Sequence, residues 1–244
     1  MNKILSIIIL GFLTINITVA EELLTFPVYA HIVEIDENIK QTQYEVDSND
    51  KIISSSIKVV PYKTSITKEI IKKDFLELNK IWSKANIKFN LRDINFTKAE
   101  TKNFRNYEEL SFKNYNNINY INTSLEYHLE IIDHKKYDNI NGINVYYIPK
   151  MLTSICGAYY SNDSVIFLGS EEEKLFDPNV KMYWKCKRLK TLAHEFGHVV
   201  QLDHSNIPGN LMMSTTIDEE FGKNLTKEQI TEARKFMKKV LGLN

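Results

Sequence analysis

Five consecutive residues, His194-Glu195-Phe196-Gly197-His198, constrain this chain more than any other stretch, because a further histidine, His204, follows six residues on. The chain has six histidines, so half of them fall within eleven positions. On a helix, residues four apart share a face, so His194 and His198 can turn their rings toward one metal ion. Glu195, beside the first ligand, can reach a water on that ion as general base. His204 lies too far along to share the helix face, so the chain must turn back to deliver it. Three protein ligands leave a fourth position open for water, as in a catalytic rather than a structural zinc site. The bland alternative is an amphipathic helix with incidental histidines.

The first 20 residues have the pattern of an export signal. Lys3 supplies the positive start, Ile4 to Ile17 is nearly all apolar, and Thr18-Val19-Ala20 offers small residues for cleavage. The apolar run is short for a membrane span, although an uncleaved anchor is the competing reading. No cysteine follows Ala20, which disfavours a lipid anchor. The expectation is a periplasmic or extracellular protein without stable membrane insertion. Residues 21–244 form one domain in this reading, long enough for a real core. That stretch carries 30 basic and 31 acidic residues, a balance that suggests neither nucleic acid nor an anionic membrane as partner. Cys156 and Cys186 are the only cysteines. In an exported chain the pair suggests a disulfide, which would contribute roughly 3 kcal/mol. Free buried thiols and a metal-ligating thiolate are the alternatives.

Along the chain, Leu24 to Ile35 alternates as a strand, with His31 inside it, and residues 36–60 read as a loop or hairpin excursion. Thr67 to Ala85 predicts a helix, with Thr67 as N-cap, Ile66 and Ile71 as a staple, and Ile71, Phe75, Leu78, Trp82 and Ala85 on one face. Ile87 to Leu91 predicts a second strand and Ile143 to Ile148 a third. Thr123 with Glu126 makes a capping box ahead of Leu125, Leu129 and Ile132, with His128 and His134 as surface residues. Gly157 to Tyr160 and Val165 to Leu168 predict two short strands around a polar turn, followed by a loop to Lys181. Leu189 to Leu202 predicts the histidine-bearing helix, and a last helix starts at the Thr226/Gln229 capping box and ends near Gly242. The fold class is α+β, with a mixed twisted sheet of about five strands and about three main helices.

The pattern His194-Glu195-x-x-His198 with His204, followed by Asn210-Leu211-Met212, resembles the metzincin zinc peptidases, of the matrixin-like or pappalysin-like bacterial group. Met212, eight residues after His204, takes the "Met-turn" position in preference to Met213. Weaker likeness touches Asn79 to Trp82, Ala85 to Phe89, Asn144 to Tyr147 and Leu225 to Arg234. The resemblance implies a zincin-like domain in which one Zn²⁺ is held by His194, His198 and His204, and Glu195 drives hydrolysis of peptide bonds. It implies that a protein or peptide substrate lies as an added strand along Gly157-Ala158-Tyr159, with its specificity pocket near Met212 to Thr216. Ser214, two residues after Met212, stands where some relatives have a ligating tyrosine, so no tyrosine switch is expected. Neither a cysteine-bearing pro-segment nor an Asp-rich calcium loop is visible.

One position departs from the family pattern. Gln201 stands where the family has a glycine that lets the helix end in a left-handed turn. Glutamine there costs of order 1 kcal/mol if the turn is kept. Alternatively the turn shifts by one residue, or Asp203 replaces His204 as third ligand. Gln201 is also the feature that would favour a rival function, a zinc-loaded but unproductive binding module. A zinc amidase acting on cell-wall or small-molecule amides is a third reading.

Overall fold

The computed structural model describes residues 21–34, 38–46, 52–61, 64–98, 142–149, 156–161, 163–170, 174–177, 182–185, 187–213 and 222–243. The predicted 123–132 helix, His128, His134, Cys186, Ser214 and the export segment lie outside them.

The first strand, β1 (Leu24–Glu34), puts Val28, Ala30 and Ile32 into the main core and His31 on the opposite face, as a period of two requires. The polar stretch after it forms a hairpin, β2 (Asn38–Val46) with β3 (Ile52–Pro61), which settles the choice between loop and hairpin. Helix α1 (Lys68–Trp82) starts where Thr67 accepts a hydrogen bond from the Ile70 N–H, and buries Ile71, Phe75, Leu78, Ile81 and Trp82. The helix stops earlier than the sequence predicts: a 3-10 turn covers Ser83–Ala85, and Asn86 adopts a left-handed conformation at φ 50°. The next strand, β4 (Ile87–Lys98), is longer than predicted. The Asn79 side chain fastens α1 to it like an extra residue of the ladder, accepting from the Phe89 N–H at 2.8 Å and donating to the Phe89 carbonyl at 3.0 Å.

Strands β5 (Ile143–Ile148), β6 (Gly157–Tyr160) and β7 (Val165–Gly169) complete a five-stranded sheet in the order β4-β1-β5-β7-β6. The pairs β1–β4, β1–β5 and β5–β7 are parallel, while β6 runs antiparallel to β7 at the edge. Strands β5 and β7 are buried along their whole length; β7 reads accordingly as an unbroken apolar run, and β5 is apolar or aromatic except at Asn144. The stretch predicted as a loop to Lys181 holds a strand, β8 (Lys174–Asp177), which pairs antiparallel with β9 (Met182–Lys185) just beyond it. Helices α2 (Arg188–Val199) and α3 (Lys227–Val240) follow, so three α-helices stand among the described residues. Leu192, Phe196 and Val199 of α2 share one core with α1 and with the inner face of the sheet, and Ala233 and Met237 of α3 join it. The architecture is thus a mixed sheet with helices, as the sequence predicts. Among the described residues, no helix is long and apolar enough to cross a membrane.

Candidate metal centre

Helix α2 begins without a side-chain cap at Lys187. Its first residue is anchored instead by a fork: the Arg188 guanidinium donates to both carboxylate oxygens of Asp74, at 2.7 and 3.2 Å, and to the Ser170 carbonyl at 3.0 Å. This ties the start of α2 to α1 and to the end of β7. The helix lies against β6: a side chain at Gly157 would meet the Thr191 methyl at 2.7 Å, and the Tyr159 main chain faces the Glu195 carboxyl. Two residues along a strand and four along a helix cover nearly the same distance, about 6.6 and 6.0 Å. Strand and helix therefore run side by side.

His194 and His198 point from one face of α2, and His204 returns to them. The three rings stand with centroids 4.8 to 5.2 Å apart, and one nitrogen from each falls within a 4.8 Å cluster. Two main-chain carbonyls orient the helical rings. His194 Nδ1 lies 2.9 Å from the Leu211 carbonyl, and His198 Nδ1 lies 2.9 Å from the Leu202 carbonyl. A carbonyl only accepts, so both Nδ1 atoms carry the proton and each neutral ring keeps a bare lone pair on Nε2. His198 Nε2 faces His204 Nε2 at 3.1 Å, a separation that only a shared proton or cation makes favourable. Ligands of a tetrahedral zinc site stand about 3.4 Å apart. The donor set, the spacing and the tautomers all fit a zinc ion.

The return of His204 depends on how α2 ends. The Leu202 N–H donates to the Gly197 carbonyl and the Gln201 N–H to the His198 carbonyl, the paired bonds of a Schellman stop. Gln201 takes the left-handed position, at φ 66°. The turn has therefore kept its register despite the missing glycine. Buried Leu202 turns its carbonyl onto His198, and Asp203 is exposed and outside the histidine cluster.

The segment Asn210 to Met213 closes the site from below. The Leu211 carbonyl holds His194, and the Met212 carbonyl accepts the N–H of Ser205, the residue after His204. Met212 is fully buried, and its sulfur lies 2.1 Å from where a Cβ on Gly197 would be. Gly197 is thus the gap through which the thioether reaches the helix beneath the rings.

The electrostatics suit a cation. Burial holds His194 down at about 4, against the pull of the Leu211 carbonyl, and burial lowers His198 as well, so both stay neutral and ligating near pH 7. Burial pushes the Glu195 carboxyl up to about 8, while the Tyr159 N–H pulls the other way. A dication beside it would restore the carboxylate.

Of the residues singled out from sequence, His194, His198 and His204 come together, and Glu195 is buried against the edge strand that carries Gly157, Ala158 and Tyr159. Met212 packs under the helix. Cys156 is buried and no described cysteine is free, but its expected partner, Cys186, lies outside the described residues. His31 takes no part in the site: it sits between Thr97 Oγ1 at 3.3 Å and Asn144 Oδ1 at 3.0 Å. The sequence reading missed the Leu202 and Leu211 carbonyls, the space at Gly197 and the Arg188 fork.

No protein-family model matches the sequence, and no curated protein matches it. Among solved structures, the chain is similar to a zinc-dependent peptidase from Methanocorpusculum labreanum, at 11% identity and a TM-score of 0.41, over 84% of this chain and 99% of that one. A likeness this remote carries no argument about activity.

Proposed function

We propose that the chain is a zinc-dependent endopeptidase of the metzincin kind. The observation that carries this is the convergence of three imidazole nitrogens, two of them with tautomers fixed by carbonyls, next to a buried glutamate. His194, His198 and His204 would hold the metal. A zinc ion there supplies a Lewis acid that activates water near neutral pH and polarises the scissile carbonyl. Glu195 takes a proton from the attacking water and passes it to the leaving amine. The Tyr159 main chain faces that carboxylate, so the proton acceptor stands beside the edge strand. A peptide laid along β6 as a further strand would present its scissile bond to Glu195, with main-chain hydrogen bonds supplying affinity. In the same proposal, Met212 forms the Met-turn, Cys156 and Cys186 are bridged, residues 1–20 direct export, and the protein works in the periplasm or outside the cell as a single domain over residues 21–244.

The test is zinc content together with cleavage of an unstructured protein such as casein, for wild type and Glu195→Gln side by side. One zinc in each, with cleavage reduced at least about 1,000-fold in the variant, is the expected outcome. Near-native cleavage by Glu195→Gln would remove Glu195 from the mechanism. Zinc without cleavage in either protein would favour the binding-module reading.

A further inference from the structure

Gln229 has two roles, and only one of them is local. Its main-chain N–H donates to Thr226 Oγ1 at 3.2 Å and its Oε1 accepts from the Thr226 N–H at 3.0 Å, the capping box that starts α3. The same amide faces the side chain of Asn210, 19 residues away. Asn210 Nδ2 donates to Gln229 Oε1 at 2.8 Å, and Gln229 Nε2 donates to Asn210 Oδ1 at 3.3 Å. Two antiparallel bonds between planar amides fix distance, tilt and roll together. One bond would leave the tilt and roll free.

What Asn210 does with this fixed position leads to the metal site. It is buried, and its Oδ1 also accepts from the Met212 N–H at 2.8 Å. Its carbonyl accepts the Met213 N–H, and the Leu211 N–H is taken by the Asn224 carbonyl at 2.7 Å, two residues before Thr226. The 210–213 turn is thus hung on the entry to α3 by side chain and main chain. Two further carbonyls of the turn face the site: Leu211 toward His194 Nδ1, and Met212 toward the Ser205 N–H. A continuous hydrogen-bonded path runs from α3 through Gln229 and Asn210 to the ring of His194 and to the segment carrying His204.

We infer that Gln229 is a positioning residue of the metal site, acting through its amide pair with Asn210 on the turn that sets His194 and His204. The inference rests on the zinc reading above. Partners that orient zinc ligands commonly change metal affinity by 10-fold to 100-fold when removed. Gln229 acts one step further out, so a loss of about 10-fold is expected.

The experiment uses cobalt(II) as probe, in the full chain, with affinity measured against a competing chelator. The d–d spectrum reports ligand geometry and the Tm of the metal-free protein reports stability. Gln229→Glu keeps the acceptor oxygen of the capping box but removes the donor to Asn210 Oδ1 and sets two oxygens face to face. Gln229→Ala removes both roles. Thr226→Ala removes the Oγ1 cap bond and leaves the amide pair intact. The expected result is weaker cobalt binding and an altered d–d spectrum in both Gln229 variants, with Thr226→Ala lowering Tm while binding cobalt like wild type. Should Gln229→Ala fail to fold, Gln229→Glu carries the test. Wild-type affinity and spectrum in Gln229→Glu would overturn the inference and leave Gln229 as a cap alone. An equal loss of affinity in Thr226→Ala would overturn it too, since general loosening of α3 would then suffice. Failure of wild type itself to bind cobalt would instead sink the zinc reading.

Discussion

Gln201 holds a left-handed backbone that its side chain disfavours, at φ 66°, and the Schellman bonds around it keep it there. Replacing it by glycine relieves that strain, of order 1 kcal/mol, at the cost of about 0.5 to 1 kcal/mol of added chain entropy in the unfolded state. Gln201→Gly is therefore expected to raise stability by no more than about 0.5 kcal/mol in urea unfolding, with the metal site unchanged. At Gly197 the sign reverses. A Cβ there would overlap the Met212 sulfur, so Gly197→Ala should cost about 1 to 3 kcal/mol, and Gly197→Ala with Met212→Ala should cost less than the sum of the two changes, in the same unfolding assay. The sequence showed the first of these tensions and hid the second. Gln201 stands out because the family that the histidine motif resembles has glycine at that point. Gly197 looks like any weak spot in a helix, and its neighbour Met212 is fifteen residues away. The Leu202 and Leu211 carbonyls could not be foreseen either, because every residue carries one and only the fold chooses which faces a histidine.

Helices α1 and α3 announce their starts through Thr67 and through Thr226 with Gln229, since a cap is a contact between near neighbours in sequence. Helix α2 has no such signal, and its start is set by the distant pair Arg188 and Asp74. Both side chains are largely out of water, so removing one partner leaves a stranded charge. Asp74→Ala is expected to destabilise by about 3 to 5 kcal/mol. Removing both, as Asp74→Ala with Arg188→Met, should cost less than the two single changes together, measured by denaturant unfolding as a double-mutant cycle. The same locality explains the hairpins. The strands β8 and β9 have four residues each, too few to show a period, and the polar β2–β3 stretch offers little contrast between its faces. The longer β1 and the largely apolar β5 were legible for the opposite reason.

Across the whole molecule, the sheet has a second buried face on which His31, Tyr146 and Phe167 line up on neighbouring strands, their rings stacked at 4.5 and 5.4 Å. A neutral His31 satisfies both its partners, donating from Nε2 to Asn144 Oδ1 and accepting at Nδ1 from the Thr97 hydroxyl. Burial holds its pKa below the ordinary 6.5, against the upward pulls of Asn144 and Asp93. The unfolded chain therefore takes up the proton first as pH falls. Stability from this residue is intact above pH 6.5 and is lost as pH drops from there toward the folded value. With metal removed by chelator, wild type should lose stability between pH 7 and pH 5.5, and His31→Gln should lose less over the same interval, by urea unfolding at each pH.

The three candidate ligands fall within eleven consecutive positions, whereas Gln229 and the Asp74 that anchors α2 lie far away in sequence. Closing so short a loop costs little entropy, so the denatured chain can chelate zinc as well. Metal bound to both states stabilises only by the difference in affinity. Zinc should therefore raise the melting temperature by less than its affinity for the native protein suggests. What the fold adds to a peptide that can already chelate is the fixed direction of three rings.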